Sequence, residues 1–293
     1  MSGALVLYAL LFLMVAFWSG NYIAGKIALR EFPALFLAGL RIGLAGVMML
    51  PLYLWERSSR PRPEHSRAEI VRALILGLFG VTLNQVFFVV GLSRTSVAHA
   101  AILIGLTPIQ VLIIAGLRRQ ETITARKGAG MAIALLGVAI LKMFEPASAA
   151  GATWAGDFVV LLAGLSFALF TVFGKEVTAS FSTLTMNTYA YVGGAVALLP
   201  LTLWQGSHLP LAQVSAGAWL SAVYMAMFPS VVAYLIYYHA LAHMTASRVS
   251  AFSYLQPVFA SILGVIILGE TLGAPVIAGG AVILAGVYLA ERG

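Results

Sequence analysis

Few residues of this chain have the types and the spacing that catalysis needs. His239 and His243 are four positions apart, which on a helix would place both imidazoles on one face, as metal ligands require. No acidic residue lies near them in the sequence and the chain has no cysteine, so we expect no metal, no cofactor and no catalytic residue. No glycine-rich phosphate loop precedes a predicted helix, which argues against ATP hydrolysis by this chain.

A larger set of residues has the chemistry of a binding pocket. These are mostly neutral amides, hydroxyls and aromatic rings that stand within long apolar runs. The candidate substrate-binding residues are Trp18, Asn21, Asn84, Gln85, Phe88, His99, Leu103, Thr107, Gln110, Phe167, Tyr234, Tyr238, Ser253 and Tyr254. Such a mixture suits a small zwitterion with a variable apolar side chain. The alternative is that the polar groups form interhelical hydrogen bonds, worth about 0.6 kcal/mol each, and touch no substrate.

Composition indicates which elements must position these residues. Hydrophobic residues make up 61% of the chain and charged residues 9%, whereas roughly a quarter of a soluble domain is charged. A run of about twenty apolar residues can cross a bilayer as a helix. The sequence predicts ten such spans, at about 4–24, 33–54, 70–91, 98–117, 128–144, 157–177, 183–204, 216–240, 249–268 and 274–290. We therefore expect an all-α, multi-pass membrane protein, whose first span is retained because it has no basic n-region and no convincing cleavage site.

The distribution of Lys and Arg predicts the orientation. With the N-terminus in the cytoplasm, twelve basic residues fall on the inner side and four on the outer side, as the positive-inside rule requires. Both termini are therefore expected in the cytoplasm and the protein in the inner (plasma) membrane. The net charge of +7 is read as this topology signal, so the expected partner is the lipid bilayer and no nucleic acid. We also expect a monomer.

The chain repeats itself when it is shifted by 149 residues. Pro51-Leu52-x-Leu54-Trp55 then falls on Pro200-Leu201-x-Leu203-Trp204, and Gly25-Lys26 falls on Gly174-Lys175. The sequence predicts a five-helix unit at 1–149 and a second copy at 150–293. Because five is odd, the two copies must cross the membrane in opposite directions, which is the inverted-repeat architecture of secondary transporters.

The repeat also aligns two prolines, Pro108 and Pro257, each near the middle of a predicted span. A proline inside a helix costs about 3 kcal/mol and leaves the carbonyl four residues back without its donor. Those carbonyls belong to Ile104 and Ser253, and within a bilayer they are tolerated when they face protein or a water-filled cavity. We predict that both prolines mark helix breaks at a central binding site. The alternative is a packing kink in each helix.

Several motifs resemble the EamA-type drug/metabolite transporter superfamily. They are Ala101-x-x-x-x-Leu106-x-Pro108 with its counterpart Leu255-x-Pro257, Gln120-Glu121 and Gly269-Glu270, and the paired glycines Gly130/Gly137 and Gly279/Gly286. Within that superfamily the chain looks most like YddG-type exporters of aromatic and other amino acids. The resemblance implies a central cavity enclosed by helices 1, 3, 4, 6, 8 and 9, with helices 5 and 10 peripheral. It also implies a secondary transporter that exports neutral amino acids with broad specificity by alternating access, as a uniporter or coupled to protons.

Two other functions stay open at this point. One is an exporter of other small metabolites or drugs, which would use the same architecture. The other is an intramembrane enzyme, which would need catalytic groups at depth. Every Asp and Glu is expected at a helix end or in a loop, so no carboxylate relays protons at mid-membrane.

For three basic residues the sequence is compatible with either a substrate-binding role or a structural role. His99 and Arg248 are aligned by the repeat, and each could attract a carboxylate near one mouth of the cavity. Arg248 is better explained by snorkelling to the lipid interface. Arg41 lies about eight residues into the second span, and we expect a structural role for it because helix 2 is not expected at the cavity centre.

Cysteine accessibility tests the inverted repeat, because the natural chain has no cysteine. Single cysteines at Arg60 and Thr122 should react with a membrane-impermeant maleimide from the cytoplasmic side. A cysteine at Ser207, in the loop that aligns with the first of these, should react from the opposite side. Labelling of positions 60 and 207 from the same side would contradict the inverted repeat.

Overall fold

The computed structural model describes residues 2–59, 65–120, 122–143, 153–177, 181–244, 249, 252 and 255–291, and these form an all-helical protein. Ten long helices follow the predicted spans in order. They are α1 (Ser2–Ala28), α2 (Ala34–Ser59), α3 (Arg67–Leu92), α4 (Val97–Leu117), α5 (Ala125–Met143), α6 (Trp154–Val177), α7 (Thr183–Gly206), α8 (Ala216–His243), α9 (Leu255–Leu268) and α10 (Ala274–Glu291). The predicted boundary between the two copies, at 149–150, lies outside the described residues.

The helices have the length and the surface of membrane spans. Among the described residues, six helices are long and apolar enough to cross a bilayer, namely α1, α2, α3, α4, α6 and α8, and the apolar helices α9 and α10 are shorter. Large apolar side chains cover the outer surface, and Leu117 and Val47 are 80% and 70% exposed. Such a surface is stable in lipid and not in water. The prediction of an all-α membrane protein with ten helices is confirmed.

The helix contacts have the symmetry of a duplicated unit. If α1–α5 correspond to α6–α10, each contact between the copies should have a counterpart with the roles exchanged. The packing of α3 on α6 has its counterpart in α8 on α1, that of α4 on α6 in α9 on α1, and that of α2 on α8 in α7 on α3. The pairs α2–α7 and α5–α10 are their own counterparts, as a two-fold relation requires. The duplicated five-helix repeat is thus present in the fold.

Serine caps show the same duplication at the level of single residues. Ser66 begins α3 and Ser215 begins α8, and in each the hydroxyl accepts the backbone N–H three residues on. Glu69 completes the cap of α3 as a capping box. In α8 the carboxylate comes from Glu31, in the α1–α2 loop, which accepts hydrogen bonds from the amide and the hydroxyl of Ser215. These bonds hold the pKa of the Glu31 carboxyl below its usual range, and they tie the α1–α2 loop to the second repeat.

Helices α5 and α10 pack mainly on each other, with backbone against backbone. A methyl group added at Gly130 would lie 2.4 Å from the backbone nitrogen of Ala290, and one added at Gly137 would lie 2.6 Å from that of Ile283. Small residues allow this close approach, which is a main source of attraction between helices in lipid. The pair takes the peripheral position that the resemblance implied.

Replacement of Gly130 by alanine should destabilise the protein, because the new methyl group meets backbone that cannot move away cheaply. Overpacking of this kind costs about 1 to 3 kcal/mol. Gly128, in the same helix, is the matched control because nothing lies within 4 Å of its added methyl group. Gly128→Ala should be neutral or stabilising by up to about 1 kcal/mol through helix propensity. Thermal denaturation in detergent would measure both, and equal melting temperatures would contradict the close α5–α10 contact.

Candidate functional site

A cavity lies where the two repeats meet. It contains about 560 Å³ of space between protein atoms, and this figure includes space that is open to solvent. Its lining combines aromatic, amide, hydroxyl and aliphatic groups with one cation and includes no acidic residue among the described part of the chain. The lining residues are Trp18, Asn21, Tyr22, Arg41, Asn84, Gln85, Phe88, Ile104, Thr107, Phe167, Pro229, Tyr234 and Gln256.

Eight of the fourteen candidate residues from the sequence meet in this lining, namely Trp18, Asn21, Asn84, Gln85, Phe88, Thr107, Phe167 and Tyr234. Three of them form an aromatic cluster. The ring of Trp18 lies 5.7 Å from that of Phe167 and 6.1 Å from that of Tyr234, and both contacts are edge to face. This geometry is favourable for aromatic pairs, so the cluster forms a rigid apolar wall.

Four other candidates lie outside the lining, because other groups in the packed interior hold their side chains. His99 faces the start of α6, where its Nδ1 lies 3.6 Å from the Oδ2 atom of Asp157. Gln110 donates to the carbonyl of Leu161, Leu103 is buried among apolar side chains, and Tyr238 packs edge to face on Phe170. Ser253 and Tyr254, like Arg248, lie outside the described residues.

The break in α4 lies next to this cavity, whereas the residues directly before Leu255, where a break in the ninth span would lie, are outside the described residues. Helix α4 consists of two segments, Val97–Ile104 and Thr107–Leu117, and Pro108 lies in the first turn of the second segment, where a missing N–H costs little. Ile104, whose carbonyl Pro108 cannot bond, lines the cavity. Pro257 is two residues after the first described residue of α9, and its Cγ would be 3.1 Å from a methyl group added at Gly105. The α4 break and Pro257 of α9 therefore lie against each other.

Two π-helical segments form a second pair of irregularities, which sequence reasoning missed. They are Leu78–Leu83 in α3 and Ala226–Val232 in α8, and they coincide under the 149-residue shift. Side chains from other helices bond to carbonyls of both segments. The hydroxyl of Tyr234 donates to Gly80 at 2.7 Å, and the indole of Trp18 donates to Pro229 at 3.0 Å. Gly80 and Pro229 are repeat equivalents, and Pro229 within the apolar run was the signal that could have revealed the second segment.

Arg41 of α2 lines the cavity, although helix 2 was not expected at the cavity centre. Its side chain is buried, and its Nη2 atom donates to the carbonyl of Met225 at 3.2 Å and to the hydroxyl of Ser230 at 3.0 Å. Met225 directly precedes the π-helical segment of α8, and Ser230 lies within it. The repeat equivalent of Arg41 is Ala190, whose Cα would be 2.5 Å from a methyl group at Gly77. At this position the backbones of α3 and α7 pack closely on each other, whereas the Arg41 side chain lies between α2 and α8.

Comparison with known proteins gives the family. The model of the EamA-like transporter family matches residues 5–143 and again residues 154–291. The chain belongs to this family. The resemblance to the drug/metabolite transporter superfamily is thereby confirmed, and the two matches correspond to the two copies of the repeat.

Individual relatives agree with this assignment. A protein of Archaeoglobus fulgidus described as an uncharacterized transporter is 29% identical over 97% of this chain and 98% of its own length. The inner membrane transporter YedA of Escherichia coli K12, also described as uncharacterized, is 25% identical over 92% of this chain and 85% of its own. A solved crystal structure with 17% identity superposes with a TM-score of 0.70 over 97% of this chain and 96% of that chain, which shows a common fold.

Family membership settles the class of activity. The protein is a membrane transporter that works within a lipid bilayer on a small-molecule substrate, and its family consists of transporters, which are not enzymes. His239 and His243 contact each other, and the Nδ1 atom of His243 lies 2.7 Å from the carbonyl oxygen of His239. No cluster of three potential metal ligands occurs among the residues that the structure describes.

The hydroxyl of Tyr234 should contribute to stability, because it satisfies Gly80 in the π-helical segment and also lies 3.2 Å from the Oδ1 atom of Asn84. Tyr234→Phe leaves a buried carbonyl without this donor and should cost about 1 to 3 kcal/mol. Tyr224→Phe is the control, because that half-buried hydroxyl makes one bond of 3.3 Å, and it should cost less. Melting temperatures in detergent compare them, and an equal or smaller loss for Tyr234→Phe would contradict the assigned role.

Proposed function

We propose that this protein carries amino acids, aromatic and other neutral ones, with broad specificity by alternating access through the cavity. The observation that supports this most is the pairing of an aromatic wall with unused hydrogen-bond acceptors. Among the described residues, Asn21 Oδ1, Gln85 Oε1 and Thr107 Oγ1 are buried without a hydrogen-bond partner, and all three residues line the cavity. An ammonium group has three donors, so a bound zwitterion would satisfy acceptors that are costly to leave unpaired.

The aromatic wall suits the other end of such a substrate. Trp18, Phe167 and Tyr234 offer ring faces and edges to an apolar or aromatic side chain, with little dependence on its exact shape. Broad specificity follows, because apolar contact discriminates weakly between side chains. The resemblance to YddG-type exporters supports the same substrate class.

The proposal also covers the membrane, the direction of transport and the coupling. We place the protein in the inner membrane, with cytoplasmic termini and as a monomeric exporter, and the description of YedA as an inner membrane transporter supports that membrane. No acidic residue lines the cavity among the described residues, which favours uniport. Proton coupling is the alternative, and the buried pair of His99 and Asp157 outside the cavity is its candidate site.

Alternating access would use the two-fold relation between the repeats. Helix α4 breaks at Gly105 and Leu106 beside Pro257 of α9, and these helices belong to opposite repeats. Rocking of one repeat against the other about this point would open the cavity to each side in turn. An exporter of other small metabolites or drugs would work in the same way. Only the identity of the substrate therefore distinguishes it from an exporter of amino acids.

Counterflow in proteoliposomes tests the substrate class. Purified protein should exchange radiolabelled L-tryptophan and L-phenylalanine against unlabelled neutral amino acids without ATP, and empty liposomes should not. Trp18→Ala should reduce exchange at least about tenfold, since aromatic anchors of a binding site are commonly worth 2 kcal/mol or more. Trp204→Ala, at a tryptophan that is 62% exposed toward the surrounding lipid, is the matched control and should leave exchange unchanged.

Two results would contradict the proposal. The absence of exchange for every neutral amino acid, with exchange of another metabolite or drug, would favour the alternative substrate class. A requirement for ATP would exclude secondary transport. An unchanged rate after collapse of the proton gradient would favour uniport over antiport.

A further inference from the structure

Arg41 has hydrogen-bond donors that the protein itself does not use. An arginine carries five N–H donors, and the two on Nη2 have partners in the Met225 carbonyl and the Ser230 hydroxyl. The remaining three are on Nε and Nη1, and among the described residues both of these nitrogens are buried without a hydrogen-bond partner. The side chain is 2% exposed and lines the cavity. It is therefore a fixed cation with open donors at the place where a substrate would bind.

Within the described residues, no negative charge compensates this cation. The cavity lining contains no acidic residue, and no carboxylate lies within ion-pair distance of Arg41 in the described parts of the chain. An arginine stays charged under all physiological conditions. An unpaired charge inside a membrane protein costs several kcal/mol and is retained where it has a functional partner.

We propose that Arg41 binds the carboxylate of the transported substrate. The inference rests on the proposed function and names the chemical group that the site selects. A carboxylate carries a single negative charge, which matches the one cation in the lining, whereas a phosphate group with up to two charges would leave an excess. With the carboxylate at Arg41, the ammonium group meets Asn21, Gln85 and Thr107, and the side chain meets the aromatic wall.

The irregular segment of α8 positions this group. The hydroxyl of Ser230, within the π-helical segment, donates to the Met225 carbonyl at 2.8 Å. Nη2 of Arg41 is held by the same two groups, so its other nitrogens are pre-oriented. Because α2 and α8 belong to opposite repeats, the carboxylate would bind at a junction that moves when the repeats rock.

Three small probes separate the carboxylate from the ammonium group. L-phenylalanine has both groups, 3-phenylpropanoate has only the carboxylate and phenethylamine has only the ammonium. Their dissociation constants would be measured by thermal-shift titration of the purified full chain in detergent. In Arg41→Gln, binding of both carboxylates should weaken about 10- to 100-fold, as expected for a hydrogen bond to a charged group. Binding of phenethylamine should stay unchanged or improve.

Two further variants keep the test interpretable. Arg72→Gln removes one positive charge at an exposed position, and its dissociation constants should match those of the natural chain. Arg41→Lys keeps the charge but loses the planar donor set, so it should bind the carboxylates with intermediate affinity even if Arg41→Gln does not fold. If the carboxylates bind to Arg41→Lys and Arg41→Gln as to the natural chain, or if neither carboxylate binds to the natural chain, the inference is overturned.

The outcomes also distinguish this inference from the proposed function. Loss of 3-phenylpropanoate binding in Arg41→Gln, without any amino acid exchange in proteoliposomes, would support the carboxylate site and contradict amino acid transport. Exchange of L-phenylalanine with equal affinity in the natural chain and in Arg41→Gln would support transport and overturn the role of Arg41.

Discussion

The rest of the structure depends on one constraint, which is that every backbone carbonyl inside a bilayer needs a hydrogen-bond donor. At the centre of the protein the regular α-helical hydrogen bonding is interrupted, by the break in α4 and by the π-helical segments in α3 and α8. Side chains from other helices then supply donors, as Trp18 does for Pro229 and Tyr234 does for Gly80. These side chains also line the cavity, so the same residues satisfy the irregular backbone and form the wall of the site.

The two repeats share a fold but have not kept identical chemistry at the centre. Trp18 and Phe167 are equivalent positions in the aromatic wall, and Gly80 and Pro229 are equivalent carbonyls that accept a side-chain donor. Arg41 breaks this symmetry, because its equivalent Ala190 packs directly against Gly77. A duplicated scaffold supplies two equal halves that can rock about an axis. Among the described residues, Arg41 is the one cation in the cavity lining, and it gives the cavity a polarity that a symmetric pair of cations would lack.

Much of the fold could be predicted from the chain because its signals are local and repeated. Apolar runs, basic loops and paired prolines predict the spans and the duplication, and the polar groups within those runs predict Trp18, Asn84 and Thr107 as neighbours of one cavity. His99 and Gln110 have the same residue types and similar positions, yet their side chains turn to Asp157 and to the carbonyl of Leu161. A polar side chain bonds to the nearest partner in space, and the sequence does not contain that distance.

The sequence by itself determined that this is a ten-helix membrane protein built from two copies of one unit, since hydrophobicity, charge and proline chemistry act through each residue and its near neighbours. The tertiary structure decided that α2 reaches the centre and that Arg41 faces the cavity. That result depends on the Met225 carbonyl and the Ser230 hydroxyl, which are far from Arg41 in sequence and which accept its hydrogen bonds. Only the packing of α2 on α8 brings the cation and the carbonyl together, because a hydrogen bond forms over about 3 Å whatever the separation along the chain.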